Sequence, residues 1–256
     1  MRRILISALV VTVALGGLST PAYADPVDDP QLTGNVLYTS GTIPRSSCAE
    51  KPISRPDHVP TAKAYLTFVA GCLDRVWSKQ LAKAGVTYKK PKLSLLTRNP
   101  AQYCGRKWQW NWIYNYCEKN GTIVFALDRR ILSQKPDDLY IFTSMAGLYG
   151  YHVQVLTGIT KAVGAAAPGL DEASAKDLTR RGALQRLCLS GAFTGSVYKT
   201  MPRSMTDWKF VIWAKGREAS SSLGTAKSIA YWMNRGFNSR DPKNCNTWTV
   251  ANSQVA

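Results

Sequence analysis

Residues 137–159, DDLYIFTSMAGLYGYHVQVLTGI, constrain this chain more than any other stretch. The apolar side chains Leu139, Phe142, Met145, Ala146, Tyr149, Val153 and Leu156 recur at helical spacing and nearly encircle the axis. A helix that is apolar on most sides has to be covered on most sides, so the remaining chain must supply packed layers around it. Pro136 at a first-turn position, with Asp137 and Asp138 beside it, predicts the start, because proline loses no hydrogen bond there and acids favour the positive helix end. Gly158 predicts the stop. Gly147 and Gly150 each cost about 1 kcal/mol against alanine inside a helix. Close packing of a neighbouring helix, or descent from an older active site, would explain them.

Other segments read as follows. Residues 25–60 are rich in Pro, Asp, Ser and Gly with no sustained period, which predicts an extended N-terminal arm pinned at Cys48. Residues 61–84 carry Leu66, Val69, Leu73, Val76, Trp77 and Leu81 at spacings of three and four, a helix with Thr61 near its N-cap and Gly85 as its stop. Residues 93–96 and 122–127 predict short strands. Between them Trp108, Trp110, Trp112, Tyr114 and Tyr116 alternate strictly, which predicts one strand over 107–116 with all five rings on one face. Such a face is either a core or groove wall, or a stacking platform for sugar rings or extended peptides. Residues 162–169 read as a small-residue loop, and 171–198 as a second long helix. The expected class is α+β, mainly helical with a small antiparallel or mixed sheet.

Arg2 and Arg3, the apolar run Ile4 to Leu18 and the closing Ala22-Tyr23-Ala24 have the three-part layout of a secretory signal peptide, predicting a soluble, exported chain that starts at Asp25. The remaining residues would form the arm and one domain over 61–256. The chain has a formal net charge of +17, and +15 once Arg2 and Arg3 are removed. Such an excess attracts polyanions, which outside a cell means wall polymers, lipid headgroups or loose nucleic acid, although spread basic residues also serve solubility alone. Six cysteines in an exported chain argue for disulfides. Six allow 15 pairings. Cys104 with Cys117 would close a short aromatic hairpin, Cys188 with Cys245 would tie the C-terminal segment to a core helix, and Cys48 with Cys72 would remain.

Several motifs resemble the bacterial neutral zinc metallopeptidase family. The segment Ala146 to Gln154 resembles its active-site helix A-H-E-V-G-H-H-V-Q, and Ala183 to Gly191 its E-L-Q-A-D-C-x-A-G helix. Cys104-Gly105 and Tyr116-Cys117 resemble its C-G and F-Y-C segment. Residues 222–226, 231–237, 241–242 and 245–248 resemble its closing block. The resemblance implies a zincin-like scaffold and a zinc ion held by two histidines and a glutamate, with a second glutamate activating water. In this chain the first histidine falls on Gly147, the catalytic glutamate on Leu148, the second histidine on Tyr151 and the third ligand on Ala183. The family's neighbouring aspartate falls on Leu187 and a later histidine on Leu223. With His58 and His152 the only histidines, no register restores an i, i+4 pair.

The resemblance therefore implies a secreted pseudo-peptidase without zinc or any other cofactor, retaining a cleft for a peptide or an anionic envelope polymer. Leu148 and Tyr151 are expected to fill the vacated metal pocket into a closed, apolar floor, with Arg186 bringing a positive charge close by. Trp108, Trp110, Trp112, Tyr114, His152 and Arg186 are the candidate binding residues. His152 is either a lone general base or a satisfied histidine at a helix surface. The alternatives are a hydrolase of envelope polymers using a carboxylate pair drawn from Asp128, Asp137, Asp138, Asp171, Glu172 and Asp207, or a basic polyanion binder. No G-x-S-x-G elbow and no phosphate-binding G-x-x-x-x-G-K occurs.

Overall fold

The computed structural model describes residues 27–51, 53, 58–109, 112–127 and 138–256. The signal-peptide reading, Trp110, Asp128, Pro136 and Asp137 lie outside the described residues. The fold is α+β: helices gathered on one face of a small mixed sheet, stapled by three disulfides.

After a short helix α1 (Pro30–Thr33), the helices are α2 (Val59–Lys83), α3 (Asp138–Leu156), α4 (Ile159–Ala166), α5 (Glu172–Val197), α6 (Met205–Gly216) and α7 (Ala226–Ser239). The strands are β1 (Lys92–Leu96), β2 (Gln102–Tyr103), β3 (Arg106–Lys107), β4 (Tyr114–Cys117) and β5 (Thr122–Ala126). β5 lies between β1, which it pairs in parallel, and β4, which it pairs antiparallel. Ile123 and Phe125 face the helices while Val124 and Ala126 face the other way, as the twofold period of a strand requires.

α3 is the centre of the molecule, and residues 139–146 are all buried. Its first turn is held by Asp138, which pairs with Arg203 at 3.0 Å and accepts a hydrogen bond from the Ile53 amide. α5 packs beside it, and α7 packs on α5 so closely that side chains are excluded from the seam. A Cβ on Gly236 would collide with the Cys188 carbonyl, one on Gly191 with that of Met233, and one on Gly195 with that of Phe237. The C-terminal segment is tied to α5 by Cys188–Cys245 and by Arg181. This fully buried guanidinium spans Asp177, the Thr247 and Val250 carbonyls and Asn252, all within 2.9 Å. The other two disulfides are Cys48–Cys72 and Cys104–Cys117, so all three pairings follow the expected pattern.

Four expectations need correction. Residues 27–51 do not form a detached arm: Leu32, Leu37, Tyr38 and Ile43 are core residues, and the Ile43 amide donates to the Arg240 carbonyl at 2.7 Å. The segment lacks a period because turns, rather than one regular element, present those side chains. α2 starts two residues earlier than expected, with His58 at the N-cap position making no capping bond to the backbone and its ring instead bonded to the Thr61 hydroxyl at 2.8 Å. Most of the stretch expected as a small-residue loop belongs to α4, since alanine is the best helix former and Ile159 and Ala162 supply a buried face. Gly158, at φ +78°, both ends α3 and opens α4, a left-handed position glycine takes without strain.

The fourth correction concerns the aromatic run, which is not one strand. Of its described aromatic residues, Tyr114 and Tyr116 lie in β4, whereas Trp108 and Trp112 lie outside any strand and the Trp112 amide donates to the Gln109 carbonyl at 2.9 Å. Trp108 and Trp112 consequently pack with Val124 and Ala126 on the outer face of the sheet, while Tyr114 and Tyr116 join Phe125 and Ile123 on the helical face. Cys104 and Gly105, both at positive φ, make the two-residue turn of the β2–β3 hairpin.

Candidate functional site

The site is a cavity of about 270 Å³ enclosed by α3, α5, α6, β4 and the segment leading into α7. Its lining includes Gly147, Leu148 and Tyr151 from α3, Ala183, Arg186 and Leu187 from α5, and Leu223. Every position at which the resemblance places a lost catalytic or metal-binding group thus borders one hollow. The helical period explains the local part of this: 147 and 151 lie one turn apart on α3, and 183 and 187 one turn apart on α5. The crossing of the two helices supplies the rest. It is tightest at Gly150, where a Cβ would stand 2.9 Å from the Arg186 carbonyl oxygen. Gly147, three residues earlier, would place a Cβ in open space.

The floor is not closed. Leu148 and Tyr151 border the cavity without filling it, and Gly147 and Ala183 project little volume into it. Nor is the lining wholly apolar. Lys215 of α6, 3% exposed, donates to Tyr114 Oη at 3.2 Å, Ser144 Oγ at 2.9 Å and Glu218 Oε1 at 3.1 Å, which engages all three ammonium protons. Its ammonium also stands 3.9 Å above the Tyr140 ring, and the Tyr140 hydroxyl donates to Glu218. Burial alone would favour loss of the proton, but Tyr114, Glu218 and Tyr140 together hold Lys215 well above the ordinary lysine range. A permanently charged amine rules out Lys215 as a base for the neighbouring Ser144 hydroxyl, which itself donates to the Tyr140 carbonyl at 2.8 Å.

Arg186 is the second cation. Its guanidinium lies 4.6 Å from the centre of the Tyr151 ring. Burial lowers its proton affinity, and the Tyr151 and Glu118 groups act in the opposite direction. Among the described residues it has no hydrogen-bonding or ion-paired partner.

These residues do not fit a zinc ion. Gly147 and Ala183 carry no donor atom. Burial, assisted by Glu118 and partly opposed by Arg186, pushes the Tyr151 phenol up, so it stays neutral and a poor ligand. Glu218, the carboxylate of the lining, is shared between Lys215 and Tyr140. Among the described residues no three His, Cys, Asp or Glu side chains gather as a metal site.

The other candidate residues separate. His152 is neither at a helix surface nor in the cavity: it is 3% exposed, between Tyr116 Oη at 2.7 Å on Nδ1 and the Lys89 carbonyl at 2.6 Å on Nε2. A carbonyl only accepts, so Nε2 carries the proton and Nδ1 takes the Tyr116 hydroxyl hydrogen. Burial, against the Lys89 hydrogen bond, holds this imidazole below its ordinary range. Of the aromatic run, Tyr114 reaches the cavity, whereas Trp108 is buried under the outer face of the sheet. The described acids are spent on structure: Asp138 on Arg203, Asp171 as the cap of α5, Glu172 on Lys176, and Asp207 in the capping box of α6. Lys215, Glu218 and Ser144 were not anticipated. Charged residues near a helix end ordinarily face water, and their i, i+3 spacing is the one available sequence signal.

Comparison with known proteins agrees with this geometry. Residues 26–208 match the model of the family described as "Putative neutral zinc metallopeptidase". The protein "Uncharacterized protein YpfJ" of Escherichia coli K12 is 26% identical over 208 residues, spanning 73% of this chain and 71% of YpfJ. YpfJ of Escherichia coli O6:H1 strain CFT073 gives the same figures. No solved structure matches the chain. With well over half of its length matched, the chain belongs to this neutral zinc metallopeptidase family.

Proposed function

We propose that this chain is an exported member of its family that has lost zinc peptidase chemistry and uses the former active-site cavity to bind a peptide or an anionic envelope polymer. One observation carries the proposal: the positions that would hold and activate a metal-bound water are Gly147, Leu148, Tyr151 and Ala183, and the charged groups in the same wall are two cations, Arg186 and Lys215, and one carboxylate, Glu218, that is already shared between Lys215 and Tyr140. A divalent ion would meet a single carboxylate, Glu218, already held by Lys215 and Tyr140, and two positive neighbours. Export is supported by the layout of residues 1–24 and by the pairing of all six cysteines in disulfides, which persist in oxidising compartments. Among the described residues no helix is long and apolar enough to cross a membrane.

The test is metal analysis of the purified protein together with a peptidase assay run with and without a chelator. The expected result is zinc far below one equivalent and no chelator-sensitive cleavage. Stoichiometric zinc that is lost on altering α3, or cleavage abolished by chelation, would refute the proposal.

A further inference from the structure

The charge balance of the cavity wall is uneven. Lys215 is neutralised by Glu218, and its three protons are already donated. Arg186 differs: its planar fork of donors lies in the same wall, stacked on Tyr151, with neither an acid nor a hydrogen-bond acceptor assigned to it among the described residues. Glu118 is felt electrostatically at Arg186 but forms no ion pair with it. One positive charge is therefore left over, presented as a bidentate donor at the edge of a small hollow. The same lining includes the aliphatic side chains of Leu148, Leu187, Leu223 and Ile229.

We infer that the cavity receives the C-terminal carboxylate of a peptide, anchored by Arg186, with a small aliphatic terminal side chain against the leucines. This rests on the reading of the cavity as a metal-free binding cleft and narrows it to one ligand chemistry. A carboxylate matches the guanidinium fork in geometry and in charge, two parallel N–H···O bonds to a single negative group. A phosphate dianion would bring a second charge for which no free donor remains, since Lys215 is saturated. The volume agrees: about 270 Å³ lies just below the usual range for sites that enclose a whole small ligand, and suits a chain end better than the middle of a polymer. Tyr151 and Arg186 also border a second hollow of about 300 Å³, lined in part by Ile159, Val163 and Leu178, which leaves room for the preceding residue. The same chemistry is offered by a protein C-terminus and by a wall stem peptide that ends in D-alanine.

The test is calorimetric titration of the full exported chain with N-acetyl-lysyl-alanyl-alanine in four forms: the free acid and the C-terminal amide, each with L- or D-alanines. Inorganic phosphate serves as the small-anion control. A free acid should bind about ten- to a hundredfold tighter than its amide, the range expected for hydrogen bonds to a charged group. Arg186→Gln should erase that difference, and Arg186→Lys should restore only part of it, because the charge returns without the fork. The preferred alanine configuration identifies the source. Equal binding of acid and amide, with both blocked by Gly147→Leu, would overturn the carboxylate anchor while leaving a binding cleft in place. Phosphate binding more tightly than either acid, or no binding of any peptide, would also overturn it. None of these outcomes depends on metal content, so the two proposals fail separately.

Discussion

Gly147 and Gly150 lie on the same helix and have the same cost in helix propensity, yet replacing each with alanine should move stability in opposite directions. At 147 a methyl group enters the cavity and meets nothing within 4 Å. Gly147→Ala therefore collects the propensity gain, about 1 kcal/mol. At 150 the same methyl would lie 2.9 Å from the Arg186 carbonyl oxygen and 3.3 Å from its Cα. Both are backbone atoms that cannot rotate away, so α3 and α5 must separate. Overpacking of this kind costs about 1–3 kcal/mol, which cancels or exceeds the propensity gain. The two variants should differ by roughly 1–3 kcal/mol, or about 2–12 °C in melting temperature for a domain of this size. Chemical and thermal denaturation of both purified variants would measure this. Equal stabilisation would mean that the helices do not approach closely at 150. Destabilisation by Gly147→Ala would mean that position 147 does not open onto a cavity, and the description of the site would fall with it.

Other consequences can be checked independently. His152 is held below its ordinary value of 6.5 by burial, so the unfolded chain binds its proton more readily than the folded one. Stability should therefore fall as pH drops below about 6.5 and level off below the folded value, and His152→Gln should flatten that slope in denaturation midpoints between about pH 7.5 and 5. Lys215→Met removes the cation that satisfies Glu218, Ser144 and Tyr114, and should cost about 2–4 kcal/mol, the partial exposure of Glu218 keeping it below the cost for a fully buried pair. Adding Glu218→Gln should recover part of that loss, and strict additivity in the double-mutant cycle would contradict the coupling. Replacing Cys188 and Cys245 together with alanine should destabilise by about 4 kcal/mol, against about 3 for the shorter Cys104–Cys117 loop, if chain entropy dominates. The reverse ranking in urea unfolding would count against that account.

The amino-acid sequence alone determined the buried helix α3, because an apolar set that encircles a helix axis can be satisfied only in a core. It determined the long helices α2 and α5 to within a few residues, since their periods are sustained over many turns. The donor atoms available at 147, 148, 151 and 183 were equally legible: glycine, leucine, tyrosine and alanine offer no imidazole and no carboxylate, and no packing can alter that. Short-range ambiguity defeated the rest. Alternation at Trp108 to Tyr116 fits one strand and equally a run whose rings divide between two faces, and packing selected the second, with Trp108 and Trp112 against Val124 and Ala126 and Tyr114 and Tyr116 in the helical core. Residues 27–51 have no period, so their core side chains could not be recognised before α2, α5 and α7 offered them a surface.

Tertiary structure decided what a single helix cannot encode. It brought Lys215 and Glu218, on and just beyond α6, against Tyr140 and Ser144 of α3, forming an ion pair with a buried lysine and a partly exposed glutamate from residues that would ordinarily be solvated. It gave the two glycines of α3 different meanings, one a contact with α5 and the other the mouth of a cavity. It also left Arg186 stacked on Tyr151 with no hydrogen-bonded or ion-paired partner among the described residues. Charge and hydrogen bonding are sums over neighbours that lie far apart in the chain, so whether a cation is spent or free becomes visible only once the helices have crossed.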